Sequence, residues 1–201
     1  MGRYTGPKHK LSRRAGIPLF GPLSKAEERR LSVPPGMHGG QRRRRPSDFA
    51  VQLREKQKVK QMYGLQERQF RRFFEQAERE RGEIGLNLLR LLERRVDNVV
   101  YRMGWAATRP MARQLVGHGH VLVNGRRMTI PSYIVKPGET IALDETAQKM
   151  PVTQELLAGA APPLPGWLRR DGAVGEIVGV PDRTDLEPHI QEHLIVEYYS
   201  R

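Results

Sequence analysis

The sequence contains no cysteine, which removes disulfides and thiolate metal ligands from the account. Aromatic residues make up only 6% of the chain. No run of eighteen apolar residues occurs, so nothing in the text reads as a membrane span. The first residues lack the apolar core of a signal peptide, and a cytoplasmic protein is expected. Catalytic groupings are missing as well. Serine, histidine and aspartate are present, but no nucleophile elbow frames them. Gly117-His118-Gly119-His120 lacks the lysine and helix start of a phosphate-binding loop. His118 and His120 have no third ligand beside them, so a metal pair is not expected. The reading is of a protein that is not an enzyme and uses no cofactor, metal or small-molecule substrate.

Acidic residues are also scarce. There are 35 Lys and Arg against 22 Asp and Glu, a net charge of +13 and a pI near 10.6, which points to a polyanionic partner. Arginine, whose planar fork suits bidentate phosphate contact, supplies 27 of the cations. The charge is uneven: residues 1–60 hold 16 basic and 4 acidic side chains, residues 61–142 hold 14 and 8, and residues 143–201 hold 5 and 10. The front is the expected polyanion-binding part, and the tail is not.

Residues 1–46 read as a basic extended N-terminal arm. Gly6-Pro7, Gly21-Pro22, Pro34-Pro35-Gly36 and Gly39-Gly40 are expected to break any regular element. Such text cannot bury enough apolar surface to order itself alone. Arg3, Lys8, Lys10, Arg13, Arg14 and the run Arg42, Arg43, Arg44 and Arg45 are its candidate phosphate-binding residues. Residues 47–92 read as a helical domain. Ser47 is a plausible N-cap, with Phe49, Leu53, Val59, Met62 and Tyr63 inward and Gly64 at the end. A second helix over about 66–81 turns Phe70, Phe73, Phe74 and Ala77 inward at helical spacing and Arg68, Arg71, Arg72 and Arg79 outward. Arg54, Lys56 and Lys58 join the candidates. A third helix carries Leu86, Leu88, Leu89 and Leu92.

The stretch 91–143 organises the rest. Leu92, Val96, Val99 or Val100, and Met103 continue a helical spacing up to Gly104. Thr108 can cap a further helix with Pro110 in its first turn. That helix carries Arg109 and Arg113 four apart. Val121–Val123, Asn124-Gly125 and Arg126–Met128 form the strongest hairpin signal in the chain. Pro137-Gly138 turns into a strand at Thr140–Leu143. Arg109, Arg113, His118, His120, Asn124, Arg126 and Arg127 thereby gather in one unit. After Leu143 the text is irregular and acidic, with a loop at 160–166 and an edge strand or two over 172–180. Helices first and strands later give an α+β class with a small, mainly antiparallel sheet.

The text ARQLVGHGHVLVNGRR and PSYIVKPGE resembles the RNA-binding module named after the small-subunit ribosomal protein "S-four". The segments Gln52–Lys58, Glu67–Arg71, Asp97–Gly104 and Glu192–Ser200 extend the resemblance over essentially the whole chain, to the bacterial ribosomal protein family itself. The resemblance implies that the module, residues 93–184, is inserted, and that about 185–201 returns to complete the helical domain. It implies binding to the 5′ domain of small-subunit ribosomal RNA at a multi-helix junction, early in assembly. It also implies a place near the messenger RNA entry path and beside the fifth small-subunit protein, with an effect on decoding accuracy. Some family members repress translation of their own operon. Many carry four cysteines holding a metal in the arm. Here only His9 and His38 stand nearby, and zinc is rejected. Asp182, Asp185 and Glu187 are the residues expected to meet the neighbouring protein. The same module occurs in RNA-modifying enzymes, transfer-RNA synthetases and a large-subunit rescue factor. The enzymes need a catalytic domain for which no stretch remains, and the rescue factor would not need the helical front.

Overall fold

The computed structural model describes residues 4–21, 23–37, 39, 45–159 and 163–200. Two compact units result, one of residues 1–85 with 189–201 and the other of residues 86–188.

In the first unit the arm holds two short helices, α1 (Lys8–Ala15) and α2 (Lys25–Leu31). This corrects the expectation that its glycines and prolines exclude regular structure. Gly6-Pro7 precede α1, Gly21 lies between the two helices and Pro34-Pro35-Gly36 follow α2, with Gly16 closing α1 at φ 73, and Ser24 forms a capping box with Glu27 at the start of α2. Leu11 and Leu19 are buried. Arg13 ties the pieces together by donating to the carbonyls of Val33 at 2.8 Å and Pro34 at 3.1 Å.

Helix α3 (Asp48–Met62) starts where Ser47 accepts from the Ala50 amide, and Gly64 turns the chain at φ 62. Its inner face departs from expectation. Phe49 is 47% exposed and Leu53 only half-buried, whereas Gln52, Glu55 and Lys56 are buried beside Val59 and Met62. The reason is the partner helix α10 (Glu192–Tyr199), which brings polar groups. Gln52 donates to Glu197 at 2.7 Å, and Glu55 accepts from the Gln191 amide at 2.8 Å. Helix α4 (Glu67–Arg79) buries Phe70, Phe74 and Ala77 and leaves Arg68, Arg71, Arg72 and Arg79 outside. Tyr199 of α10 lies 4.5 Å from the Phe74 ring and 6.3 Å from that of Phe70.

The division falls at the start of α5 (Ile84–Glu93). The helical spacing of 92–103 does not make one continuous helix. At Arg94–Arg95 the chain turns, because the amides of Val96 and Asp97 bond the carbonyls of Tyr133 and Pro131, and Val135 bonds that of Arg94. Helices α6 (Val96–Arg102) and α7 (Arg109–Gly117) follow. Thr108 caps α7 by accepting from the Met111 amide.

Strands β1 (Val121–Val123), β2 (Arg126–Met128), β3 (Thr140–Leu143), β4 (Leu168–Asp171) and β5 (Val174–Ile177) form one antiparallel sheet in the order β2-β1-β3-β5-β4. Asn124 and Gly125 take φ 49 and 74, the positive pair that a type I′ hairpin requires. One face of the sheet, with Val121, Ile141, Leu143 and Ile177, packs in a core with Val96, Val99, Val100, Met103, Trp105, Leu115, Val116 and Trp167. Two further helices, α8 (Glu145–Gln148) and α9 (Pro151–Ala158), stand where the sequence reads as irregular. Asp144 caps α8 by accepting from the Ala147 amide at 2.7 Å.

Candidate nucleic-acid interface

The candidate cations divide into those that face solvent and those that hold the fold. In the first unit Lys8, Lys10, Arg14, Arg45, Arg54, Arg68 and Arg72 are exposed. Arg71 is also outside, with a 3.2 Å pair to Glu75 that surface screening makes weak. Arg13 is half-buried on its two carbonyls. Arg3, Arg42, Arg43 and Arg44, like His38, lie outside the described residues.

Lys56 and Lys58 are occupied internally. The Lys56 side chain is only 4% exposed, 2.6 Å from Glu67, with its ammonium 4.4 Å from the Tyr198 ring centroid. Lys58 pairs with Glu55 at 2.7 Å and donates to the His189 carbonyl at 2.6 Å. Burial alone would raise the Glu67 carboxyl, but hydrogen bonds from Lys56, Lys60 and Tyr199 outweigh it and hold the pKa at about 2.

In the second unit the hairpin tip presents Asn124, Arg126 and Arg127 to solvent. The Asn124 side-chain oxygen Oδ1 accepts from the Thr140 amide at 2.9 Å, bracing the turn on β3. Arg127 lies over the loop after α7, since a Cβ placed on Gly119 would stand 2.9 Å from Arg127 Cδ. His118 is exposed beside it, with its ring 6.3 Å from that of His120. His120 faces Asp144 at 3.3 Å. The structure therefore brings Arg127, His118 and His120 to one corner. Among the described residues no group of three or more His, Asp or Glu side chains could hold a metal ion.

Arg109 and Arg113 sit deeper. Arg113 is half-buried, and burial pushes its pKa below the ordinary arginine value, Asp97 opposing and Arg95 adding to the shift. Arg109, the first residue of α7, donates to Asn98 at 2.8 Å and to Glu187 at 2.9 Å, with its guanidinium over the Tyr101 ring. Arg102, absent from the sequence-derived candidates, belongs to the same network. It grips Glu93 through Nε at 2.9 Å and Nη2 at 2.7 Å, and meets Glu187 at 3.1 Å. Asn98 donates to Glu93 at 2.7 Å. Beneath it Arg95, fully buried, holds Asp97 bidentately at 2.6 and 3.0 Å. The signal for this network was present in the text, as charged and amide residues recurring inside an apolar helical repeat.

The three acidic residues expected to meet a neighbouring protein are engaged within the chain. Asp182 caps a short 3₁₀ turn (Arg183–Asp185) and lies 3.7 Å from Arg90. Asp185 accepts from the Gly166 and Asp182 amides. Glu187 holds Arg102 and Arg109.

Comparison with known proteins also divides the chain, at the end of α5. Residues 3–93 match the family model of the ribosomal protein S4/S9 N-terminal domain, and residues 94–141 match that of the S4 domain. The boundary coincides with the turn between α5 and α6. The chain is 51% identical over 207 residues to the small ribosomal subunit protein uS4 of Roseiflexus sp. (strain RS-1). It is 50% identical over 209 residues to that of Pelotomaculum thermopropionicum and 48% identical over 211 to that of Thermus thermophilus, each pair matching over the full length of both chains. With both family models matched in chain order and full-length relatives near half identity, the chain belongs to the uS4 family of small ribosomal subunit proteins, which are structural and non-enzymatic.

Proposed function

We propose that this protein is a cytoplasmic structural component of the small ribosomal subunit that binds the 5′ domain of small-subunit ribosomal RNA directly. The observation that carries the reading is the separation of cations by role. Arg54, Arg68 and Arg72 on one unit, and Arg126 and Arg127 on the other, reach solvent, while the fold engages Lys56 and Lys58. An A-form helix hides its base edges in a deep groove, so a protein reads its phosphates, 2′-hydroxyls and junction geometry. Exposed arginines on rigid helices and a braced hairpin suit that task.

Within this reading the protein joins early in assembly, sits near the messenger RNA entry path and touches the fifth small-subunit protein, where the contact bears on decoding accuracy. Repression of its own operon's messenger is a further part of the proposal. The acidic balance of residues 143–201 supports a protein partner on the tail, because phosphate is repelled there and a basic surface attracted. Sedimentation of the endogenous protein through a sucrose gradient tests the assignment. It should travel with small subunits at high salt; a free or large-subunit position would overturn the reading.

A further inference from the structure

One carboxylate oxygen in this molecule occupies a position that an RNA phosphate oxygen would suit. Nη2 of Arg102 and Nη2 of Arg109 converge on the same atom, Oε1 of Glu187, at 3.1 and 2.9 Å. Each guanidinium is already fixed from its inner side. Arg102 is held bidentately by Glu93, whose side chain is 1% exposed, and Arg109 is held by Asn98. Neither can swing away when the outer oxygen leaves. Two immobilised forks facing one oxygen are the arrangement that binds carboxylate and phosphate interchangeably. Arg109 also opens α7, where the helix dipole favours an anion.

Glu187 is the movable member. Its side chain is 21% exposed, and its own segment is anchored by the neighbouring Leu186, 5% exposed. The carboxylate can therefore leave by rotating its side chain, without a shift of backbone. With Glu187 in place the two arginines, Glu93 and Glu187 sum to zero charge. With it rotated out, the pair of forks carries a net positive charge toward solvent.

We propose that Arg102 and Arg109 form an RNA phosphate seat which Glu187 closes in the free protein, so that only RNA held by the rest of the interface displaces the carboxylate. The proposal rests on the RNA-binding reading above. It adds Arg102 to the interface and makes Glu187 a gate that suppresses binding to unspecific RNA.

The test compares the full chain with Glu187→Gln, which keeps the size and one hydrogen bond while removing the charge. The probe is a short A-form RNA duplex of arbitrary sequence. The variant should bind it more tightly, and its plot of log affinity against log salt should be steeper by about one unit, as one added phosphate contact requires. An unchanged slope overturns the seat. Should the variant unfold, the unaltered protein decides: at low ionic strength the Nε–H resonances of Arg102 and Arg109 should shift together on saturation with a fragment of the small-subunit ribosomal RNA 5′ domain, and stationary resonances overturn it. Failure of the unaltered chain to bind any RNA would instead overturn the reading on which the seat depends.

Discussion

At Lys56 the ammonium lies against Glu67 and over the Tyr198 ring, with almost no exposure, so its charge serves the fold. Replacing it by alanine should lower stability by about 1–3 kcal/mol, since the charged hydrogen bond of the buried ammonium to Glu67 is lost, and should leave the salt slope of RNA binding unchanged. Arg126, exposed at the hairpin, should behave in the opposite way. Arg126→Ala should keep the melting temperature and reduce the salt slope by about one. Denaturant titration and filter binding on both variants check the pair. Glu67 gives the first unit an acid limit. Its folded pKa of about 2 lies below the ordinary 4.5, so its contribution is present above about 4.5 and is lost as pH falls toward 2. Wild type and Glu67→Gln should differ in stability at pH 7 and converge near pH 2 in urea melts; a constant gap would contradict the assignment.

Helices α3 and α10 show where sequence reading succeeds and where it stops. The cap at Ser47, the cap at Thr108, the aromatic stripe of α4 and the Asn124-Gly125 turn were all legible, because each depends on neighbours within a few residues. The inner face of α3 was not, because Gln52, Glu55 and Lys56 become buryable only when α10 supplies Glu197, the Gln191 amide and Tyr198. For the same reason Lys56 and Lys58 resembled RNA ligands in the text. The turn before α6 was hidden too, since its bonds go to residues 131–135. The arm teaches the reverse lesson: Leu11 and Leu19 are too few to form a periodic signal, yet both are buried. Each contributes about 1.5–3 kcal/mol of apolar burial, so deleting residues 4–21 should lower the melting temperature as well as RNA affinity. A calorimetric scan of the truncated chain checks this, and an unshifted transition would return the arm to the status of a pure ligand.

Over the whole molecule the surplus of positive charge lies in the first 142 residues, and many phosphates must be met at once. With about 6–10 neutralised, affinity should fall roughly 10³–10⁵-fold between about 50 and 200 mM salt; a flat titration would argue against a phosphate-dominated interface. The two compact units also differ in continuity. Residues 86–188 run without interruption, whereas the first unit is built from both flanking segments. A ribosome emits the chain in one direction, so the two reach completion at different times. Glu67 and its partner Tyr199 are separated by 132 positions, which at about 5–20 residues per second is roughly 7–26 s of synthesis. For that interval the faces of Phe70 and Phe74 that Tyr199 will cover stay open, within reach of chaperones. The inserted unit can meanwhile finish folding, and the front of the molecule matures last although it is made first.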